Sequence, residues 1–437
     1  MATGTPTIPW DEVTQEAASY LRELIRIDTS NPPGNEEPAA RFLGEVLQRE
    51  GIPVQYYESA PGRLNLAARL QGDGRGKPFV LLSHTDVVPV QREFWQEDPF
   101  GGVVKDGVIW GRGALDMKGM GVMELLAVLL LKRTGAALNR DVVYLAVADE
   151  EAASQYGAEW LEREHPELLE ADYVLNEGGY GHLQFLGHRG PVFACAPGEK
   201  GPLWLKLRAE GEPGHGSVPH RNNALERLVR ALARVADWRR DLHVVPEMRR
   251  VFQTLREQAG LRDGEAGSLE ALAERHAVVR AWLTDTVSIT GCRSGVKHNV
   301  IPADAEATLD VRLLPDTDPE RFVQRLRDVI DDPQVQVEVV YQSSTPTSST
   351  QTALYDVIEA VTRERVEGAL VLPLISTGFT DSRVFRKHGV PAYGFIPALL
   401  DASELATIHG HNERLSIENL AFGTQVLYEV VRRVCTA

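Results

Sequence analysis

Residues 141–151 read DVVYLAVADEE. From Val142 to Val147 the run carries no charged side chain. A strand points successive side chains to opposite faces. A continuous apolar run therefore fits a strand covered on both faces, as in the parallel sheets of α/β proteins. The run ends in two glutamates, Glu150 and Glu151. In such sheets ligands bind at the carboxyl ends of the strands, so chemistry is to be sought where apolar strands stop.

Four further segments show the same pattern. FVLLSHTDVVPV (79–90) is apolar up to Ser83 and then offers His84 and Asp86, two residues apart and on one side of an extended chain. GVIWGRGALDMKGM places Asp116 between a Gly-rich turn and a helix. ADYVLNEGGYG places Glu177 after the short apolar run YVL. LATIHGHNERLSIENL offers His409 and His411 before the last helix.

The rest of the chain supports an α/β domain with a mainly parallel sheet flanked by helices, interrupted by a smaller α+β domain. Residues 11–27 have helical apolar spacing, NPPG is a turn signal, and a second helix stops at Gly51. Strands are expected in VQYYES, LNLAARL and PFVLLSH, and a long helix over about 117–133. After residue 198 the pattern changes. GPLWLKLRAEG alternates like a half-exposed strand, a helix follows from about 223, and TVSITGC, AEATLDVRLLP, PERFVQRLRDVIDD and VQVEVVYQ read strand, strand, helix, strand. Residues 240–285 are charged and helical in tendency. The Ser/Thr-rich SSTPTSSTQT is a return linker, after which helix and strand alternate again. The expected domains are 1–198 with 343–437, and an insert at 199–342. A length of 437 residues suits two cores.

The formal charge of −16 argues against nucleic acid or an anionic membrane as partner, and no run approaches a membrane-spanning length. The N-terminal MATGTPTIPWDEVTQEAASYL has no signal-peptide pattern, and Cys195, Cys292 and Cys435 fit no disulfide or metal spacing. A cytoplasmic location is the natural expectation.

Singly, these acids and imidazoles have plain readings: a helix N-cap for Asp116, a core or surface histidine, a solvated face for Glu150–Glu151. As a set from distant segments they point to one site. Clustered carboxylates repel unless a cation neutralises them, and two imidazoles with several carboxylates suit one or two zinc ions.

SHTDVVP, GRGALDMKG, ADEEAAS, NEGG, PGHGSVPH, HNVIPADA, STGFTDSRVF and IHGHNE together resemble the co-catalytic dinuclear zinc amidohydrolase and exopeptidase family. That family includes acetylornithine deacetylase, succinyl-diaminopimelate desuccinylase, aminoacylase and carboxypeptidase S. The resemblance implies that His84, Asp116 and Glu177 hold one zinc, and that Asp116, Glu151 and His409 hold the other, with Asp116 bridging. Cobalt or manganese would suit the same ligands. It makes Glu150 the general base towards a water between the metals, and Asp86 the residue that orients His84. His411 competes with His409, but only His409 is in step with Asn412 and Glu413. From the inserted domain, the resemblance implies an oxyanion contact from His215 and a carboxylate grip from Asn299 and Arg312. Gly378 and Thr380 would line the far end of the substrate.

The long stretch 240–285 and GAEWLEREHPELLEADYVLNEGG look most like the carboxypeptidase S and N-acyl amino acid hydrolase branch. The expected activity is hydrolysis of an amide next to a free carboxylate, first in N-acyl amino acids. Dipeptidase or carboxypeptidase action comes second, acetylornithine or succinyl-diaminopimelate deacylation third. A homodimer through the insert stays open. A binding protein without catalysis would be signalled by loss of Glu150 or a ligand, and all are present. A nucleotide enzyme would need a glycine fingerprint opening a helix; GDGRGK (72–77) precedes a strand instead.

Overall fold

The apolar run Val142–Val147 forms a strand buried at every residue. It lies between Arg63–Leu70 and Phe79–His84, antiparallel to the first and parallel to the second. The computed structural model describes residues 8–188, 190–258 and 267–436. Residues 1–7 of the N-terminal segment and 259–266 of the charged stretch lie outside them.

The chain divides into two units. One takes the chain up to Gly198, Ser348–Leu374 and Thr380 onward; the other is Glu199–Thr347 with Ile375–Phe379.

The first unit is built on an eight-stranded sheet. Its order is Val54–Ala60, Arg63–Leu70, Val142–Val147, Phe79–His84, Tyr173–His182, Val192–Ala194 and Leu370–Leu372, with Ala392–Leu400 also paired to Tyr173–His182. The central pairings are parallel and the Val54–Ala60 edge is antiparallel. The helix Lys118–Arg133 is buried from Lys118 to Leu131, as expected of a helix apolar all round. It packs with Trp10–Arg26, Ile417–Thr436 and the strand Phe79–His84.

Glu177 does not follow a short strand; it lies inside the ten-residue strand Tyr173–His182. The glycines after it mimic a strand end in sequence, but they serve close packing. A Cβ on Gly179 would stand 2.5 Å from the Ala194 carbonyl oxygen and 2.8 Å from that of Gly394, so only glycine lets these backbones approach.

The second unit is a four-stranded antiparallel sheet in the order Thr286–Ser294, Asp304–Leu313, Gly201–Glu210, Val335–Gln342. The helices Ala224–Asp237 and Pro319–Ile330 cover one face, where Leu228 and Leu326 meet Leu205, Leu207 and Leu309 in one core. Asn223 caps the first of these helices, its side chain accepting from Leu225 and Glu226 N–H. The described part of the charged stretch forms the helices Arg249–Gln258, Gly267–Arg275 and Ala277–Leu283.

Candidate metal centre

His84 ends its strand with a fully enclosed ring. Its Nε2 stands 3.3 Å from Asp116 Oδ1 and 3.4 Å from Glu177 Oε1. The other oxygen of Asp116, Oδ2, is 3.0 Å from His409 Nε2, which is also 3.2 Å from Glu151 Oε2. One carboxylate thus faces two imidazoles with its two oxygens. His84, Asp116 and Glu177 form one three-donor group, and Asp116, Glu151 and His409 a second, the donor atoms of each within 4.8 Å of one another.

Each donor is presented by a defined piece of backbone. Asp116 sits in the loop 111–116, cradled by the buried carboxylate of Glu413. That carboxylate accepts N–H bonds from Gly113 (3.1 Å), Leu115 (2.8 Å) and Asp116 (3.0 Å), and pairs with Arg112 at 2.6 Å. Glu150 and Glu151 open a 3₁₀ turn flanked by Asp149, Ala153 and Ser154, all at positive φ. Non-glycine residues seldom adopt that conformation, so the surroundings must hold it.

The holding groups are buried and polar. Asp86 accepts from Glu150 N–H and Glu151 N–H, both at 3.1 Å. Asn31 donates to Asp86 (2.8 Å) and to Asp149 (2.9 Å). Arg63 bonds Asp149 at 2.6 Å and grips Glu36 at 2.7 and 2.9 Å. On the far side of the turn, Asp381 accepts from Ser154, and Arg383 donates to the Ala153 carbonyl at 3.3 Å.

Asp86 thus meets both the His84 ring and the 150–151 turn. His84 Nδ1 lies 3.0 Å from the backbone carbonyl of Asp86 and 3.4 Å from its carboxylate, while that carboxylate accepts shorter bonds from Asn31 and from the two N–H groups of the 150–151 turn. Sequence reasoning passed over Asn31, Glu36, Arg63, Asp149 and Asp381. It separated His409 from His411 only by motif; the structure places His409 in the donor group, while the His411 ring lies 5.1 Å from that of Phe94.

The electrostatics are those of carboxylates forced together. Burial, then the charge of Asp116, pushes Glu177 up to about 8. Burial and Glu177 push Glu150 well above the usual carboxylate range. His409 rises to about 10 through its bonds to Asp116 and Glu151. Burial opposes the charged form of His84, but Glu177 and the Asp116 and Asp86 carboxylates outweigh it and raise its pKa. The cluster thus holds protons where divalent cations would serve as well. Glu151 Oε1 is buried without a hydrogen-bond partner, as a ligand atom would be. The donor set fits a pair of divalent cations: a shared carboxylate, with one imidazole and one further carboxylate on each side.

A family model, Peptidase family M20/M25/M40, matches residues 80–433. The chain belongs to this family. It is a hydrolase acting on amide bonds. Aminoacylase-1 of Mus musculus is 30% identical to this M20 chain over 410 residues, covering 92% of the chain and 91% of that protein. The N-fatty-acyl-amino acid synthase/hydrolase PM20D1 of Homo sapiens is 27% identical over 383 residues, covering 82% and 74%. Among solved structures, the M20 metallo-carboxypeptidase Sso-CP2 of Sulfolobus solfataricus superposes with a TM-score of 0.75 at 20% identity, covering 97% and 99% of the two chains. The resemblance read in the motifs is thereby borne out, as is the mixed α/β fold.

The remaining expected residues of this M20 chain fall mostly in the second unit. His215 pairs with Val300 across a two-residue ladder, and Gly216 N–H donates to the Asn299 carbonyl at 2.8 Å, so His215 and Asn299 are neighbours. Ser217 N–H donates to His215 Nδ1 at 3.2 Å. A neutral ring then carries its proton on Nε2. Arg312 is held by Asp310 at 2.8 and 3.1 Å and lies 5.0 Å over the Phe379 ring. Gly378 is exposed. Thr380 is buried in the first unit, its hydroxyl accepting from Ser382 N–H at 3.2 Å. Among the described residues no helix is long and apolar enough to cross a membrane.

Proposed function

We propose that this chain is a dinuclear zinc hydrolase of N-acyl amino acids. His84, Asp116 and Glu177 would hold one ion, and Asp116, Glu151 and His409 the other. The observation that carries the reading is Asp116, whose two oxygens face His84 and His409 at 3.3 and 3.0 Å. Bound zinc supplies Lewis acidity towards a carbonyl and a water; cobalt or manganese would fit the same donors.

The chain's own groups do the rest. Glu150 belongs to neither donor group, is buried, and has a pKa raised by that burial. Such a carboxylate is fitted to take a proton from the attacking water and give it to the leaving nitrogen. Asp86 fixes the backbone from which Glu150 projects. His215, with its proton on Nε2, is a donor for the developing oxyanion. Asn299 and Arg312 are assigned to the substrate carboxylate, Arg312 through what Asp310 leaves free of its fork. Gly378 would line the substrate, and Thr380 would position that loop.

The N-acyl substrate is favoured by the likeness to aminoacylase-1. We extend the reading to a homodimer through the second unit, where Thr286–Ser294 and Val335–Gln342 are edge strands among the described residues. A cytoplasmic enzyme fits the three free cysteines. The test is amine release from a panel of N-acyl amino acids and dipeptides by zinc-loaded protein. Release from N-acyl amino acids supports the proposal, release from dipeptides alone makes it a dipeptidase, and release from neither overturns it.

A further inference from the structure

A phenylalanine standing singly at a surface is ordinary and calls for no function. Phe94 differs in where it stands and in how firmly it is held. It is 56% exposed, and its ring lies 5.1 Å from that of His411 at an interplanar angle of 38°. His411 is two residues from the donor His409, so the Cα atoms of the two histidines lie within about 7 Å of one another.

The surrounding loop is fixed on several sides. Phe94 N–H and Trp95 N–H donate to the carbonyls of Gln91 and Arg92, each at 3.1 Å. Gln96 N–H donates to Asn412 Oδ1 at 2.7 Å. Trp95 lies 5.3 Å from the Arg112 guanidinium, which is itself bound to Glu413. The segment that carries Phe94 is thereby tied to the two loops that carry Asp116 and His409. Two nearby cations are paired, Arg92 with Asp98 and Lys105 with Glu97, each at 2.8 Å.

We infer that Phe94, braced by His411, forms a subsite for an apolar group of the substrate at the rim of the metal centre. The inference rests on the amide-hydrolase reading above. A rigid aromatic face costs little entropy to dock against, and it removes apolar surface from water. Two parts of an N-acyl amino acid could supply that surface, the acyl chain or the amino-acid side chain.

The test uses the zinc-loaded 437-residue chain and two substrate series. One varies the acyl group on glycine (acetyl, butyryl, octanoyl); the other varies the amino acid under a constant acetyl group (glycine, leucine, phenylalanine). In Phe94→Ser the ratio of kcat/KM for the largest to the smallest member is expected to fall about 10-fold in one series, and Phe94→Trp should restore it. The series that responds identifies the acyl chain or the side chain as the occupant. Unchanged ratios in both series overturn the subsite. If the native protein turns over neither series, calorimetric binding of the same compounds decides. Affinity that grows with apolar size in the native protein, and not in Phe94→Ser, sustains the subsite while the hydrolase reading falls; equal affinities overturn the subsite.

Discussion

Asp86 holds Glu150 by its backbone: Oδ1 of Asp86 accepts the Glu150 N–H at 3.1 Å, and Oδ2 accepts that of Glu151 at the same distance. One buried carboxylate thus fixes both the proposed base and a proposed ligand, in a turn flanked by three left-handed residues.

Asp86→Asn puts an amide N–H against one of those backbone donors. Residues that brace metal ligands typically change metal affinity or activity 10–100-fold when replaced. The expected outcome is a fall of about that size in kcat for amide hydrolysis, with the fold intact by circular dichroism. An unchanged kcat would show that the turn keeps its shape without Asp86.

Glu150→Gln keeps the size of the side chain and removes its basicity. Because Glu150 lies outside both donor groups, bound metal measured by atomic emission should stay at two ions per chain. Activity should fall about 10²–10⁴-fold, the usual contribution of a general base. Loss of metal along with activity would make Glu150 a ligand instead.

Glu413→Ala strips three backbone N–H groups and the buried Arg112 of their acceptor. Breaking a buried pair by removing one partner costs about 3–5 kcal/mol. Denaturant unfolding of the metal-free protein should show a loss of that order. A loss within experimental error would mean that water replaces the carboxylate in the cradle.

The protonation of the centre makes metal binding pH-dependent. Glu177 is raised to about 8 and His409 to about 10, so at neutral pH both hold protons that bound cations must displace. Calorimetry in buffers of different ionisation enthalpy should register proton release on zinc loading, and zinc affinity should fall as pH falls. Both pKa values are raised relative to the unfolded chain, so their stabilisation is complete at low pH. It is lost as pH rises, through about 8 for Glu177 and about 10 for His409. The Tm of the metal-free protein should therefore drop with rising pH in that range. A Tm that rises there would contradict the assignment.

Much of the site was legible in the sequence because several of its acids and imidazoles border long apolar runs. His84, Glu150 and Glu151 follow strands buried at every residue, and Asp116 precedes a helix apolar on all sides. Glu177 was found, yet its strand was cut short, because paired glycines look like a turn until the strands they let approach are known. The supporting groups were not legible. Asn31 reads as part of a turn signal, and Arg63 stands just before the expected strand LNLAARL. Their meaning comes only from meeting Asp149 and Asp86, 118 and 55 residues from Asn31. The Asp310–Arg312 pair had a signal that went unused, since residues i and i+2 share a face of a strand.

The central claim is that two metal ions and Glu150 together make this chain an amide hydrolase. The most direct measurement is zinc titration into metal-stripped protein while amino acid release from an N-acyl amino acid is followed, for the native chain and Glu150→Gln side by side. Release is expected to appear as zinc fills two sites per chain, with Glu150→Gln binding the same two ions and releasing almost nothing. Equal release with and without metal, or full release by Glu150→Gln, would contradict it.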